Sequence, residues 1–166
     1  MRRVVHWRRQ HWQWNKMRLR QLSLVIATIG GVLLSGCNGI RPPRGVTPVT
    51  ETIVVTGYCD CGKCCGWERS WLRLGTPVYS YGPMKGQPKK VGITSTGTET
   101  RHGTAAVDKT RYPYGSVFYV PGYGYARGED AGGAIKGAHI DLWFPSHQAA
   151  LKWGRRTLKV KVWKKP

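Results

Sequence analysis

Residues 156–163, RTLKVKVW, set Leu158, Val160 and Val162 on one side of an extended chain and Lys159 and Lys161 on the other. Alternation with period two gives a strand with one buried and one wet face. Working outward, the same chain holds further short runs rich in β-branched and aromatic residues: ETIVVTGY (51–58), VGITST (91–96), TAAVD (104–108), SVFYVPG (116–122) and HIDLWF (139–144). Gly and Pro punctuate them, and about six strands spaced in this way predict a mainly β domain closed into a small barrel. One helix is expected, with Ser146 after Pro145 as its N-cap, HQAALKW as its body and Gly154 as its terminator. Residues 75–90, GTPVYSYGPMKGQPKK, read as an insertion or long loop, and no internal repeat is visible.

The N-terminus has a different character. Arg2, Arg3, Arg8, Arg9, Lys16, Arg18 and Arg20 precede an uncharged stretch, QLSLVIATIGGVLLSG (21–36). That stretch is shorter than the roughly 20 residues of a spanning helix and ends in small residues, as a cleaved export signal does. It runs into Leu34-Ser35-Gly36-Cys37, which resembles the bacterial lipobox. Residues 1–36 are therefore expected to be a lipoprotein signal peptide, with Met1 or Met17 as its start and Cys37 as the lipidated first residue of the mature chain. Residues 37–50 mix Pro, Gly and polar residues as a flexible tether does, and the folded domain is expected over 51–166.

The 166-residue chain carries 27 Lys+Arg against 8 Asp+Glu, a formal charge of +19. Removing residues 1–36 takes away seven of the basic residues and none of the acidic ones, which leaves +12. A surface of that sign suits a polyanion. For an exported, lipid-anchored chain, envelope polymers or lipid headgroups are the expected partners. No zinc finger, RNA-recognition signature or helix-turn-helix pattern points to nucleic acid. Lys159, Lys161, Lys164 and Lys165 also read as a solvated edge.

CDCGKCCGW places Cys59, Cys61, Cys64 and Cys65 within seven residues. In an exported protein such a cluster predicts disulfides. A vicinal 64–65 bridge is disfavoured, so 59–64 with 61–65 and 59–65 with 61–64 both stand open. Zinc is the weaker expectation, because four ligands from so short a segment strain a tetrahedron. The site reading carries no metal and no cofactor. His102, His139 and His147 are spread along the chain and read as bland.

Asp108, Asp130 and Asp141 each sit at the edge of a strand-like run, and their spacing matches no EF-hand loop. VGITSTGT, GTAAVD, YPYGSVFYVPGYG, EDAGGAIKGAHIDLWF and HQAALKWG together resemble the 3D-domain proteins, named for three aspartates and similar to the C-terminal region of membrane-bound lytic murein transglycosylase A. The resemblance covers about residues 52–163 and includes the cysteine cluster. It implies a six-stranded double-psi β-barrel and cleavage of peptidoglycan glycan strands with 1,6-anhydromuramyl ends. It also implies Asp141 as the catalytic residue, with Asp130 and Asp108 as its neighbours. Many members carry Thr after the second aspartate, where this chain has Ala131.

A lytic transglycosylase can work with one carboxyl, because its nucleophile is a hydroxyl of the same sugar. Asp141 then needs a raised pKa, from apolar flanks such as Ile140 and Leu142 or from a nearby carboxylate. Strand alternation puts Asp141 and Trp143 on one face, with Ile140, Leu142 and Phe144 on the other. Trp143, Tyr123, Lys136, Thr94 and Ser95 are the expected substrate contacts. A barrel that binds peptidoglycan without turning it over is the alternative. The chain is expected to act as a monomer, and Asn38 after the lipid cysteine favours an outer membrane where the host has one.

Overall fold

The structure is a computed structural model and describes residues 39–165. The expected signal peptide, residues 1–36, and the expected lipid site at Cys37 lie outside the described residues. Among the described residues there are eight strands: β1 (Val49–Tyr58), β2 (Trp67–Ser70), β3 (Thr76–Tyr79), β4 (Thr104–Val107), β5 (Val117–Val120), β6 (Gly124–Asp130), β7 (His139–Trp143) and β8 (Arg156–Trp163). Within the same residues two short helices join them, α1 (Gly62–Cys65) and α2 (His147–Trp153), together with a 3₁₀ turn at Trp71–Arg73.

Six of the strands close into a barrel in the order β1-β7-β4-β6-β5-β8, and β8 returns to pair with β1. The pairs β1/β7 and β4/β6 are parallel, and the other four are antiparallel. The mainly β, six-stranded barrel read from the sequence is thus the architecture of the chain. Closure leaves no unpaired barrel edge. Alternation fills the interior: Ile53 and Val55 of β1, Val107 of β4, Phe118 and Val120 of β5, Ile140 and Leu142 of β7, and Val160 and Val162 of β8 form one buried cluster. Apolar burial of this kind stabilises at about 25 cal/mol per Å² removed from water.

The membership of the barrel differs from the sequence reading at one strand. Residues 91–96 are turns and bends around an isolated Ile93↔Glu99 bridge, and the sixth strand is GYARGED, β6. Its inward residues include Ala126 and Gly128, so it lacks the large apolar side chains that mark a strand. A Cβ at Gly128 would lie 3.2 Å from Val107 Cγ2 and 3.7 Å from Phe118 Cε2, which is why only a very small residue sits there. Residues 75–90 are not all loop, since β3 pairs with β2 in a separate two-stranded sheet.

β1 starts at Val49, two residues ahead of the expected domain start. Residues expected in the tether also touch the barrel. Ile40 is buried with Val117 and Trp163, and Trp163 Nε1–H donates to the Val46 carbonyl at 3.0 Å. The expected helix forms as α2, with Ser146 Oγ accepting from Ala149 N–H at 3.1 Å and Gly154 as C-cap. Gly57 of β1 lets α2 approach closely: a Cβ there would meet Phe144 Cε2 at 2.8 Å and the Ala150 carbonyl at 3.3 Å.

Candidate functional site

Register across the sheet assembles the site. Thr56 of β1 pairs with Asp141 of β7, Asp141 with Ala106 of β4, and Ala106 with Asp130 of β6. The four residues lie in one row on the outer face of the barrel. Asp130 joins that row because the β4/β6 register shifts: Ala105 pairs with Gly128 but Ala106 pairs with Asp130, so Glu129 is the extra residue of a bulge. Without it Glu129 would stand opposite Ala106. Glu129 is instead buried and paired with Arg101 at 3.4 Å and Arg127 at 3.7 Å. Ala106 separates the two aspartates with the smallest side chain available.

Over this row lies a groove of about 700 Å³, lined by Asp141, Asp130, Asp60, Tyr58, Ser95 and Ile135 among others. Asp141 Oδ1 accepts from Thr56 Oγ1–H at 2.7 Å, and Thr56 Oγ1 stands 3.0 Å from His139 Nε2. Since the threonine hydrogen goes to Asp141, the imidazole is the donor in the second bond. Burial raises the Asp141 pKa above the ordinary aspartate value, the Thr56 hydrogen bond opposes that rise, and the charge of Asp130 adds to it. Ile140 and Leu142 are not the source of this burial. They point into the barrel, and the apolar neighbours on the outer face are Ala106, Tyr58 and Ile135, which form a cluster of their own.

Asp130 is held on all sides. Its Oδ1 accepts from Ser95 N–H at 2.9 Å, Ser95 Oγ–H at 2.7 Å and Ala131 N–H at 2.8 Å, and its Oδ2 accepts from Tyr58 OH at 3.1 Å. Burial pushes the Tyr58 hydroxyl far above its ordinary value, and the Asp130 charge adds to that, so it is a permanent donor. The hydroxyl beside Asp130 comes from Ser95, which offsets the Thr that Ala131 replaces.

The third expected aspartate lies elsewhere. Asp108 is not among the residues lining the groove; its Oδ1 accepts from Thr110 N–H at 3.0 Å and Thr110 Oγ1–H at 2.7 Å, and its Oδ2 from Gly137 N–H at 2.8 Å. The Gly137 and Thr110 hydrogen bonds lower its pKa to about 2. It staples the loop between β6 and β7. The acid that the sequence reading missed is Asp60, which accepts from Trp143 Nε1–H at 3.0 Å and from Thr100 Oγ1–H at 2.9 Å. Its position between Cys59 and Cys61 is the signal the sequence carries for it.

The expected substrate contacts divide in the same way. Ser95 faces the groove on Asp130, and Trp143 shares the outer face of β7 with Asp141 while packing on the Tyr58, Ala106 and Ile135 cluster. Thr94 lines the groove, but its hydroxyl is engaged with Thr96 and Thr98 at 3.1 and 2.9 Å. Tyr123 belongs to the core, donating to the Trp143 carbonyl at 2.8 Å and accepting from Gly103 N–H at 2.9 Å. Lys136 is exposed beside Asp108 and is not among the lining residues. Tyr79, Tyr81, Lys89 and Lys90 also line the groove.

The cysteines are unbridged, with Cys59 and Cys64 Sγ 3.8 Å apart. His147, read as bland, comes to 3.3 Å from Cys64 Sγ and 3.6 Å from Cys61 Sγ through Nδ1. Sequence separation hid that approach.

Fold and site together define a closed six-stranded barrel with paired aspartates on its outer face, under a groove. Residues 103–164 match the family model of the 3D domain, and over that span the chain is similar to 3D-domain proteins. The match covers β4 to β8 and leaves β1, the cysteine segment and the β2/β3 sheet outside it. Two curated proteins of Bacillus subtilis strain 168 are similar over 75 residues: YabE, named for cell wall shaping, at 43% identity, and YocH, named as a cell wall-binding protein, at 45%. The chain spans 18% of the length of the first and 26% of the second. Among solved structures, the lytic transglycosylase MltA from Escherichia coli is similar at 20% identity and a TM-score of 0.36, over 48% of this chain and 30% of that one.

Proposed function

We propose that the protein cuts peptidoglycan glycan strands as a lytic transglycosylase, with Asp141 as the single acid and base. The observation that carries this reading is the placement of Asp141: inside a groove, raised in pKa by burial, and in a row with a second aspartate. The 3D-domain match and the cell wall names of YabE and YocH support the substrate class.

In the first step, protonated Asp141 gives its proton to the oxygen bridging N-acetylmuramic acid and N-acetylglucosamine as the C1–O bond breaks. The N-acetylglucosamine end leaves as an alcohol, and the muramyl ring carries the positive charge. The Asp141 carboxylate then takes the proton of the muramyl C6 hydroxyl as O6 bonds to C1, giving the 1,6-anhydro product. Asp141 ends protonated, and no water is consumed. Asp130, fixed by Ser95, Ala131 and Tyr58, keeps Asp141 protonated before the first step and offsets ring charge after it. Thr56, held by His139, orients the Asp141 carboxyl.

In this proposal residues 1–36 are a signal peptide, Cys37 carries the lipid, residues 37–50 are a linker, and the mature monomer sits on the periplasmic face of an outer membrane where the host has one. A second reading, a peptidoglycan-binding barrel without turnover, draws on the printed name of YocH. Digestion of purified cell wall separates them. The enzyme yields anhydromuramyl fragments and loses about 10²–10⁴-fold of that rate in Asp141→Asn, the usual weight of a general acid. The binding module retains the wall equally in both forms and releases nothing from either.

A further inference from the structure

Four side chains of metal-ligand type meet beside the groove. One donor atom from each of Cys59, Cys61, Cys64 and His147 lies within 4.8 Å of the others. Cys59 Sγ and Cys64 Sγ are 3.8 Å apart, and His147 Nδ1 is 3.6 Å from Cys61 Sγ and 3.3 Å from Cys64 Sγ. Tetrahedral zinc, with Zn–S of about 2.3 Å and Zn–N of about 2.0–2.1 Å, sets two sulfurs about 3.8 Å apart and a sulfur and a nitrogen about 3.6 Å apart. A disulfide requires about 2.05 Å between sulfurs. The separations are those of ligands around a common ion.

We propose that Cys59, Cys61, Cys64 and His147 bind one Zn²⁺ as a closed structural site that fixes one wall of the groove. The local fold supports that set of four. α1 is a single turn, with Cys65 N–H donating to the Cys61 carbonyl at 2.9 Å and Gly66 N–H to the Gly62 carbonyl at 2.8 Å, and it brings Cys61 and Cys64 to one side. His147 arrives as the first residue of α2, whose start Ser146 caps. The objection that four ligands from seven residues strain a tetrahedron no longer applies, because the fourth ligand comes from the far end of the chain.

Cys65 stands apart from the set. Its Sγ donates to the Cys59 carbonyl at 3.1 Å and packs on Tyr58, Ala106 and Ile135. Both disulfide pairings expected from the sequence require Cys65, and its thiol is directed elsewhere. Binding replaces three thiol protons by one ion, so three protons are released and all four metal positions are filled by protein. The ion thus ties the segment after β1 to α2. That segment carries Asp60, which holds Trp143 and Thr100, and its Cys64 and Cys65 line the groove. The proposal is independent of the chemistry assigned to Asp141.

The full chain is produced in zinc-containing medium, purified without chelator, and its mass and metal content are measured under native conditions. The expected result is one zinc per chain, removed by strong chelator, with Co²⁺ replacing it to give the intense visible bands of a tetrahedral thiolate-imidazole site. Cys65→Ser and Asp141→Asn retain the zinc and the cobalt spectrum. His147→Ala weakens zinc binding by more than the 10–100-fold that loss of an outer-sphere partner costs. A metal-free chain lighter by four hydrogens, as two disulfides require, overturns the proposal. So does zinc affinity that is unchanged in His147→Ala, or lost equally in Cys65→Ser.

Discussion

Asp141 stands in the middle of β7 and Asp108 just past the end of β4, and their surroundings drive them in opposite directions. Asp141 has a folded-state pKa above the ordinary 3.8, caused first by burial. The folded protein therefore holds this proton more tightly than the unfolded chain does. Its contribution to stability is complete below pH 3.8 and is lost as pH rises through the folded-state value. Asp141→Asn is expected to melt higher than wild type near neutral pH and at the same temperature below pH 3.8, measured by thermal denaturation across pH, while losing turnover. Asp108 has the reverse sign. Hydrogen bonds from Gly137 and Thr110 hold its pKa at about 2, so its contribution is present above 3.8 and lost as pH falls through about 2. Asp108→Asn is expected to melt lower at neutral pH, by a small amount because solvent screens the site. Its turnover should fall far less than that of Asp141→Asn, and equal losses would place Asp108 in the chemistry. The sequence showed which face Asp141 occupies, because alternation with Ile140 and Leu142 fixes it. Thr56, Tyr58 and Asp60 were not legible, since a threonine in a strand, a tyrosine at its end and an acid among cysteines carry no pattern until strands pair.

At the scale of elements, β6 decides the site. Its bulge at Glu129 turns Asp130 outward, and its Ala126 and Gly128 let the barrel close on Val107 and Phe118. The sequence reading passed over this strand because a strand packed through Ala and Gly has no hydrophobic alternation. β8 and β7 were legible because they keep it. The same economy of space appears where α2 meets β1. Gly57→Ala is expected to cost about 1–3 kcal/mol of stability by overpacking against Phe144 and the Ala150 carbonyl, read as a lower urea midpoint at unchanged slope. Because α2 carries His147, zinc affinity should fall with it; a Gly57→Ala chain of full stability would show that α2 does not rest on this glycine.

For the whole molecule, a formal charge of +19 over 166 residues, +12 without residues 1–36, favours attraction to an anionic polymer. Exposed charges are screened within about 10 Å at 0.1 M salt. Retention on purified peptidoglycan should therefore fall several-fold between low and high salt, equally in wild type and Asp141→Asn, as pelleting assays would read. Retention indifferent to salt would assign binding to the groove alone. Fold class and barrel size were legible in the strand runs and their turns, and the helix in its caps. The partition of aspartates into groove acids and a loop staple was not legible, because it depends on which strands pair and on the register shift between β4 and β6.

The central claim is that Asp141 both gives and takes a proton while one sugar closes on itself. Its most direct measurement is chromatography and mass analysis of purified cell-wall glycan incubated with wild type beside Asp141→Asn. Wild type is expected to give 1,6-anhydromuramyl ends, and the variant to lose about 10²–10⁴-fold of that rate. Anhydromuramyl products absent from wild type while a control transglycosylase makes them, or formed equally by the variant, would contradict it.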